Sequence, residues 1–433
     1  PAPADGSGDV PVDGTSPASG AAAAAAAAAP TEPKDPLANL RAQMELAKFA
    51  EADRELVQQM GVKLLTVVSK LLPGWVKDQK RLFEAVLGLW KQPETQAKAS
   101  NAQHLSLPQM KESKRLVKFI LSYVQHHHEE ISALFDLLWL FSMRLQIDFT
   151  FLREFYQKEV AEVYTTSEKR AVLMHFLALF KDNIRTGETV QHNMLVPAMK
   201  LICMPMIQGD FPVSEPLSEV IDDEMVRIIM QDVLDPPEEV SNNYTEELRI
   251  ELLQLTTLMI RHLPAQLMNH RKELIKFGWN HLKREDASSK HWAFVNVCHF
   301  LEAYQAPDKI ILQVFVALLR IPQQEHRVLV RQALDTLTPA LPHRLPGQGD
   351  QKNKYPMWIR YTKQVLVEEG HSMPHLVHIW RLLVRHAPLF MASRAQFVPQ
   401  MVNSLSRLGL PTQSSTENRW LAIDLAALVM HWE

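Results

Sequence analysis

The sequence places three histidines and two glutamates side by side in the stretch "SYVQHHHEEISALF", which runs from Ser122 to Phe135. Histidine and glutamate are common zinc ligands, and a glutamate beside zinc-binding histidines serves as the general base of many metalloproteases. This stretch is therefore the first place in the chain where the residue types could support a metal site or catalysis.

Helix geometry argues against that chemistry. Consecutive helical residues project about 100° apart, so His126, His127 and His128 fan over about 200° and cannot converge on one ion. His126 and Glu130 share a helix face and could supply two ligands at most. The HExxH arrangement is absent, because Ser132 stands four residues after His128. We interpret the run as a solvated helix end near a turn, and predict no metal-binding residue in it.

Other catalytic motifs are missing from the sequence. It contains no GxxxxGK[ST] or GxGxxG phosphate-binding motif and no GxSxG nucleophile turn. Two cysteines, Cys203 and Cys298, are too few for a disulfide framework or a cysteine-rich zinc module, and they favour a reducing compartment. Cys298 lies among apolar helical positions and is interpreted as a packing residue. We therefore assign no catalytic, cofactor-binding or metal residues, expect no cofactor, and predict that the chain is not an enzyme.

Two stretches of the sequence, one acidic and one basic, concentrate charge and could be binding surfaces. The net charge of −3, from 46 basic and 49 acidic residues, argues against binding to nucleic acid through phosphate neutralisation. Twelve acidic residues lie between Asp210 and Glu247, where Arg227 is the single basic residue. This stretch is either an acidic docking strip or a solvated connection, and we favour the connection.

The second charged stretch, from Arg261 to Trp292, is rich in lysine and arginine. It is either a nucleic-acid surface or a plain solvated face, with Trp279 and Trp292 anchoring the helix faces. The intervening acidic residues dilute its charge, so we favour the solvated face and do not expect direct contact with nucleic acid.

The secondary structure of the chain is predicted to be helical. Apolar residues recur at helical spacing from Pro36 onward, and two stripes are especially regular. These stripes are Leu248, Leu252, Leu255 and Met259, and Leu116, Ile120 and Tyr123, the second continued by His127. Strand signals are nearly absent, since no Asn-Gly pair occurs. We therefore predict an all-α fold.

Helix-start signals indicate how these helices are arranged. Thr165 with Glu168, and Ser414 with Glu417, have the S/T-x-x-E form that satisfies free amides at a helix start. Together with prolines and other caps, such signals predict helix starts near Ser106, Glu130, Asp148, Thr165, Glu188, Asn243, Pro264, Asp286, Pro307, Pro322, Tyr355, Met373, Ser393 and Thr416. Every second start is separated by roughly 36 to 43 residues, which is typical of paired-helix repeats. We predict an α-solenoid of antiparallel helix pairs, of the HEAT, armadillo or TPR-like type.

Composition divides the chain into four segments. Residues 1–35, rich in proline, alanine and glycine, are predicted to be disordered. Residues 36–209 are predicted to be helical repeats, 210–242 an acidic linker with a short helix, and 243–433 further repeats. The chain opens without methionine and stops inside an apolar run, so we expect a piece of a larger polypeptide. Its apolar runs are about half the length of a membrane span, so we expect no membrane segment.

Long stretches of the sequence resemble the helical-repeat region of one known family. The strongest begins "EELRIELLQLTTLMIRHLPAQLMNHRKELIKFGWNHLKREDASSKHW" at Glu246, and the likeness continues through "WIRYTKQVLVEEGHSMPHLVHIWRLLVRH" and "RAQFVPQMVNSLSRLGLP". The stretch "GVKLLTVVSKLLPGWVKDQKRLFEAV" carries a weaker likeness before Leu234. The chain thus resembles the transformation/transcription domain-associated protein (TRRAP) family, pseudokinases of the phosphatidylinositol-3-kinase-related kinase family.

The resemblance implies a non-enzymatic scaffold in the nucleus, within histone-acetyltransferase coactivator complexes of the SAGA and MYST types. It implies that the solenoid binds transcription activators and complex subunits. The family's kinase-like domain lies outside this segment, so no catalytic residue is carried over. One alternative is a HEAT-type transport or regulatory adaptor of the karyopherin kind. A remote alternative is a metal-dependent enzyme that uses the cluster from His126 to Glu130.

Overall fold

A computed structural model describes residues 36–92, 107–138, 149–186, 189–209, 216–321, 326–346 and 354–433. Within these ranges the chain is built from helices and contains no β-strand, which confirms the all-α prediction. No described helix combines the length and the apolar character needed to cross a lipid bilayer. The predicted disordered segment, residues 1–35, lies outside the described residues.

The helices before residue 243 are mostly short. They are α1 Pro36–Leu71, α2 Lys80–Lys91, α3 Leu107–Val124, α4 Ile131–Asp136, α5 Thr150–Phe155, α6 Thr166–Thr186, α7 Thr189–Ala198, α8 Met204–Gln208, α9 Leu217–Val220, α10 Asp223–Ile228 and α11 Glu238–Ser241. Helices α5, α7 and α10 continue as π-helix over Tyr156–Val163, Met199–Cys203 and Ile229–Leu234.

The helices after residue 243 are longer and more regular. They are α12 Glu246–His262, α13 Arg271–Leu282, α14 Ala287–Ala303, α15 Asp308–Leu319, α16 Arg327–Arg344, α17 Met357–Glu369, α18 Met373–Arg385, α19 Ala387–Met391, α20 Val398–Gly409 and α21 Thr416–Trp432. Most of the predicted helix starts fall within a few residues of these observed starts.

The chain forms two compact units, Pro1–Gly61 and Val62–Glu433, and the boundary falls inside α1. In the first unit, the described part of α1 exposes the apolar side chains Leu56, Val57 and Met60.

Helices of the second unit alternate between two layers after residue 243. In one layer α12 packs beside α14, α14 beside α16, and α18 beside α21. In the other layer α13 packs on α14, α15 contacts α16 and α17, and α20 packs on α21. The predicted paired-helix pattern is therefore present, because each helix buries one face on its sequence neighbour and another on the next pair.

The start of α6 has the predicted capping arrangement. The Thr165 amide donates to Glu168 Oε2 at 2.7 Å, and the Glu168 amide lies 3.4 Å from Thr165 Oγ1. At α21 the prediction was displaced by one residue. Ser415 caps this helix by accepting a hydrogen bond from the Asn418 amide at 3.2 Å, whereas the Ser414 hydroxyl bonds to a backbone carbonyl. Glu417 is consequently free for other partners.

Helices α12, α13 and α14 meet in the described core around Asn296 and Gly278. Asn296 Nδ2 donates to Thr256 Oγ1 at 3.0 Å and to Thr257 Oγ1 at 3.1 Å, so its buried amide group has partners. A Cβ atom added to Gly278 would lie 2.8 Å from both Asn296 Oδ1 and Val297 Cγ2. Helix α13 can approach α14 this closely because position 278 carries no side chain.

Candidate protein-binding groove

His127 lies just beyond the end of α3 and is held by three contacts. Its ring stacks on Tyr123 with centroids 4.2 Å apart, as expected for a residue that continues the α3 stripe. Its Nε2 lies 2.7 Å from the Lys77 carbonyl and its Nδ1 lies 2.9 Å from Glu129 Oε1. Because both nitrogens face acceptors, the protonated ring is favoured. The pKa of His127 is raised, chiefly by the hydrogen bond to Lys77.

His128 points toward a different helix. Its Nδ1 lies 2.9 Å from Glu168 Oε1 at the start of α6, and its ring stacks on Tyr164 with centroids 4.2 Å apart. His126 is exposed. In the described ranges no group of three or more His, Cys, Asp or Glu side chains could hold a metal ion. The run lies at a turn, as predicted, but it is more than a solvated end, because two of its rings join α3 to neighbouring elements.

The acidic interval is folded onto the flanking helices. The buried apolar side chains in its described part, residues 216–247, are Leu217, Val220, Ile221, Met225, Val226, Ile229, Met230, Val233, Leu234 and Tyr244. Among its described residues, three carboxylates form ion pairs: Asp222 with Arg170 at 2.6 Å, Asp232 with Lys181 at 3.1 Å and Asp235 with Lys276 at 2.8 Å. These internal pairs favour a structural role for the carboxylates over a docking strip.

The basic segment, from Arg261 to Trp292, also contributes to an ion pair within the chain. Lys276, on α13, belongs to it and binds the acidic interval through Asp235. Trp279 and Trp292 are half-buried against the core, which confirms their interpretation as anchors of helix faces. Both charged stretches thus place part of their charge in ion pairs within the chain, which leaves less of it available to a partner.

An open groove of about 930 Å³ lies instead between α16, α18, α21 and the loop that precedes α21. Its walls combine arginine, apolar and small polar side chains. The principal ones are Arg327, Val328 and Arg331 of α16, Met373, Val377, His378, Arg381 and Arg385 of α18, Arg407 of α20, and Trp420, Leu421 and Asp424 of α21. This volume is within the range of sites that accept a ligand or a peptide segment.

Glu417 is shared by two arginines of this groove. Arg381 Nη2 lies 2.7 Å from Glu417 Oε2, and Arg327 Nη1 lies 3.5 Å from the same oxygen. The hydrogen bond from Arg381 holds the pKa of Glu417 below its ordinary value. Since Glu417 is exposed, each of these pairs contributes little to stability.

Asp335 of α16 is shared in the same way. Arg385 Nε lies 2.8 Å from Asp335 Oδ1, and Arg331 Nε lies 3.3 Å from Oδ2. His386 Nε2 also reaches Oδ1, at 2.9 Å. Burial acts to raise the pKa of Asp335, but the hydrogen bonds from Arg385 and His386 keep it below its ordinary value. The carboxylates of Glu417 and Asp335 thus form ion pairs with four guanidinium groups.

The fifth arginine adds further positive charge. Arg407 donates to the carbonyls of Gly370 at 2.9 Å and His371 at 3.0 Å, beyond the end of α17. Both partners are neutral carbonyls and carry no negative charge to offset that of the guanidinium group. Even with Asp424 nearby, cations outnumber anions in the groove.

Part of the apolar lining of the groove is exposed. The Trp420 side chain is 62% exposed and Val328 is 70% exposed, while Leu421, which also lines the groove, is buried. Exposed tryptophan and arginine are enriched among residues that dominate binding energy in protein interfaces. A contiguous exposed apolar patch bordered by polar groups is typical of an interaction site.

The groove is not apparent from the sequence alone. A local signal exists, because Arg327 and Arg331, and likewise Arg381 and Arg385, are four residues apart on one helix face. Nothing in that spacing shows that the two faces oppose each other. The juxtaposition depends on helix packing between distant parts of the chain.

Comparison with known proteins identifies the family. The chain matches the family model described as the Tra1 HEAT repeat ring region over residues 30–433. It is 38% identical over 377 residues to the probable transcription-associated protein 1 of Dictyostelium discoideum, covering 86% of this chain and 8% of that protein. It is 30% identical over 401 residues to the transformation/transcription domain-associated protein of Homo sapiens, covering 87% and 10% respectively.

The name of a third relative states the complexes of which that protein is a subunit. The SAGA complex/NuA4 acetyltransferase complex subunit TRA1 of Saccharomyces cerevisiae is 35% identical over 206 residues, covering 48% of this chain and 5% of that protein. The chain thus spans 10% or less of each of these three relatives. With the match extending over nearly all of the chain and the paired-helix architecture in agreement, the chain belongs to the Tra1/TRRAP family, as its HEAT repeat ring region.

Proposed function

We propose that this chain is a non-enzymatic scaffold segment of a nuclear transcription coactivator subunit. In this role it joins transcription activators to histone-acetyltransferase complexes of the SAGA and MYST types. The segment contributes surface and rigidity, and the acetyl transfer takes place on other subunits.

The observation that supports this function most strongly is membership of a family in which one relative is named as a subunit of the SAGA and NuA4 acetyltransferase complexes. The local chemistry agrees with it. Two layers of paired helices bury their apolar faces on each other and leave grooves between repeats, which is how helical-repeat proteins present binding surfaces.

The alternatives receive less support. A transport adaptor of the karyopherin kind would have the same architecture, but family membership favours the coactivator function. A metal-dependent enzyme would need His126, His127 and His128 to converge, whereas the rings of His127 and His128 bind separate partners.

The proposal is tested by affinity purification of the full-length protein from nuclear extract, with identification of the proteins that accompany it. We expect acetyltransferase-complex subunits and histone-acetyltransferase activity in the eluate. Recovery of nuclear-transport factors without acetyltransferase activity would instead support the adaptor alternative, and recovery of the protein alone would contradict a scaffold function.

A further inference from the structure

We infer that His127 and His128 form a pH-sensitive clamp at the end of α3. With protonated rings, the clamp links this end of α3 to the 3-10 helix Pro73–Asp78 on one side and to the start of α6 on the other. As the pH rises and the rings become neutral, each ring loses one of its two hydrogen bonds and the corner opens more easily. The inference does not depend on the proposed scaffold function.

The ring of His127 faces an acceptor at each of its nitrogens. Its Nε2 lies 2.7 Å from the Lys77 carbonyl of the 3-10 helix, and its Nδ1 lies 2.9 Å from Glu129 Oε1. A neutral imidazole has one N–H donor and one acceptor nitrogen, whereas the protonated ring has two donors. Only the protonated ring can therefore donate to Lys77 and Glu129 at the same time.

His128 repeats this arrangement toward α6. Its Nδ1 lies 2.9 Å from Glu168 Oε1, and its Nε2 lies 3.2 Å from the Gln125 carbonyl at the end of α3. The stack on Tyr164, with centroids 4.2 Å apart, fixes the plane of the ring between these two acceptors. A proton on both nitrogens is again needed for both hydrogen bonds, and here they join α3 to α6 directly.

The charge around the two rings is mostly negative. Glu129 and Glu168 contact the rings, while Glu130 lies 4.0 Å from Lys80. The other titratable or charged groups on the elements packed at this corner are Lys77 and Asp78 of the 3-10 helix, Glu84 of α2, Tyr123 of α3, Glu159 of the π-helix and Tyr164.

Carboxylates thus outnumber ammonium groups around the corner, and the negative charge favours protonated rings. The pKa of His127 is raised accordingly, first by the hydrogen bond to the Lys77 carbonyl and further by Glu129.

Protonation is therefore expected to stabilise the folded corner. The folded chain holds the proton on His127 more firmly than the unfolded chain does. The resulting stability is complete below the ordinary histidine pKa of about 6.5, and is lost as the pH rises through the higher value of the folded chain. The corner should be tightest in mildly acidic solution and should open more often in mildly alkaline solution.

The test is hydrogen–deuterium exchange of the intact, purified full-length protein, followed at the amides from Gln125 to Ile131. Exchange is measured from about pH 5.5 to about pH 8.5 and corrected for the intrinsic pH dependence of amide exchange. We expect these amides to open about tenfold or more often at the upper pH than at the lower, because hydrogen bonds from charged donors contribute more than neutral ones.

Variants separate protonation from a purely structural role. His127→Gln with His128→Gln keeps an amide donor at each position but cannot take up a proton, so the pH dependence of opening should disappear. Glu129→Gln with Glu168→Gln keeps an acceptor oxygen at each contact and removes its charge, so the pH dependence should become smaller. The matched control is His126→Gln, at the exposed position of the same run, which should keep the full pH dependence.

The inference would be overturned if opening in the unmodified protein did not change with pH, or became rarer as the pH rises. It would also fail if the pH dependence persisted in the double histidine variant, or if His126→Gln removed it to the same extent. Should the double histidine variant not fold, the unmodified protein and the double glutamate variant still decide the outcome. Undiminished pH dependence after removal of both carboxylate charges would then contradict the clamp.

Discussion

Individual histidines in this chain are distinguished by what their rings contact. His127 and His128 follow each other in sequence, yet one is held by Lys77 and Tyr123 and the other by Glu168. Helix geometry was sufficient to predict that the run would not converge on one metal ion. It could not predict these partners, because Lys77 lies 50 residues away from His127 and Glu168 lies 40 residues away from His128.

Replacing His128 with alanine is expected to loosen the corner between α3 and α6. The change removes the contact with Glu168 and the stack on Tyr164, at a cost of about 1–2 kcal/mol in local stability. Hydrogen–deuterium exchange of the amides from Gln125 to Ile131 should become faster. Exposed His126→Ala is the matched control and should change the exchange little, so equal effects of both variants would contradict a structural role for His128.

A pH dependence is expected from His378. Burial lowers the pKa of His378 to about 4, although its hydrogen bond to the Leu318 carbonyl, at 3.1 Å, acts in the opposite direction. Below the ordinary histidine pKa of about 6.5 the unfolded chain binds a proton that the folded chain does not. The stability is therefore full above about pH 6.5 and falls as the pH decreases toward 4.

The measurement for this residue is the opening free energy of α18, obtained from amide exchange in the intact protein between pH 7 and pH 4.5. His378→Gln can still donate to Leu318 but cannot take up a proton, so its stability should depend less on pH. Identical slopes for the variant and the unmodified protein would show that His378 does not contribute to the pH dependence.

At the scale of elements, much of the fold could be predicted because the signals are local. The stripe of Leu248, Leu252 and Met259 is buried as expected, since helical periodicity alone decides which face is apolar. The start of α6 follows from Thr165 and Glu168 for the same reason. The groove could not be predicted, because it joins residues such as Arg327 and Glu417, 90 positions apart.

The close packing of α13 on α14 predicts that a larger side chain at position 278 destabilises the protein. Gly278→Ala would place a methyl group 2.8 Å from Asn296 Oδ1 and Val297 Cγ2, and should destabilise this part of the protein by about 1–3 kcal/mol. The matched control is Gly88→Ala in α2, where an added Cβ meets no atom within 4 Å. That change should stabilise α2 by about 0.5–1 kcal/mol through helix propensity.

Limited proteolysis of the two glycine variants would compare these effects. We expect faster cleavage within α13 and α14 for Gly278→Ala, and unchanged or slower cleavage near α2 for Gly88→Ala. If Gly278→Ala were as resistant as the unmodified protein, α13 would have room to move away from α14, and the close approach would not be required for folding.

At the scale of the whole molecule, the exposed apolar side chains predict how the 433-residue chain behaves when produced alone. Leu64 and Leu71 of α1 and Ile423 and Met430 of α21 are exposed, and repeat proteins need polar terminal faces to remain soluble. We therefore expect the isolated chain to aggregate, as measured by light scattering during gel filtration. A monodisperse product with a cooperative thermal transition would contradict this expectation.

Ile423→Glu with Met430→Glu should reduce that aggregation, because both positions are exposed on α21 and the added charges oppose association. Asn403→Glu, at an exposed polar position of α20, adds charge without removing apolar surface and serves as the control. An equal gain in solubility from both changes would indicate that net charge, and not the apolar face, governs the association.

If this segment is itself a scaffold surface, cross-linking mass spectrometry of the intact purified assembly should detect its contacts with other subunits. Exposed lysines of the segment, among them Lys309 on α15 and Lys354 before α17, provide attachment points. We expect cross-links from these lysines to other subunits of an acetyltransferase complex. Cross-links confined to the segment's own chain, in an assembly that retains acetyltransferase activity, would contradict it.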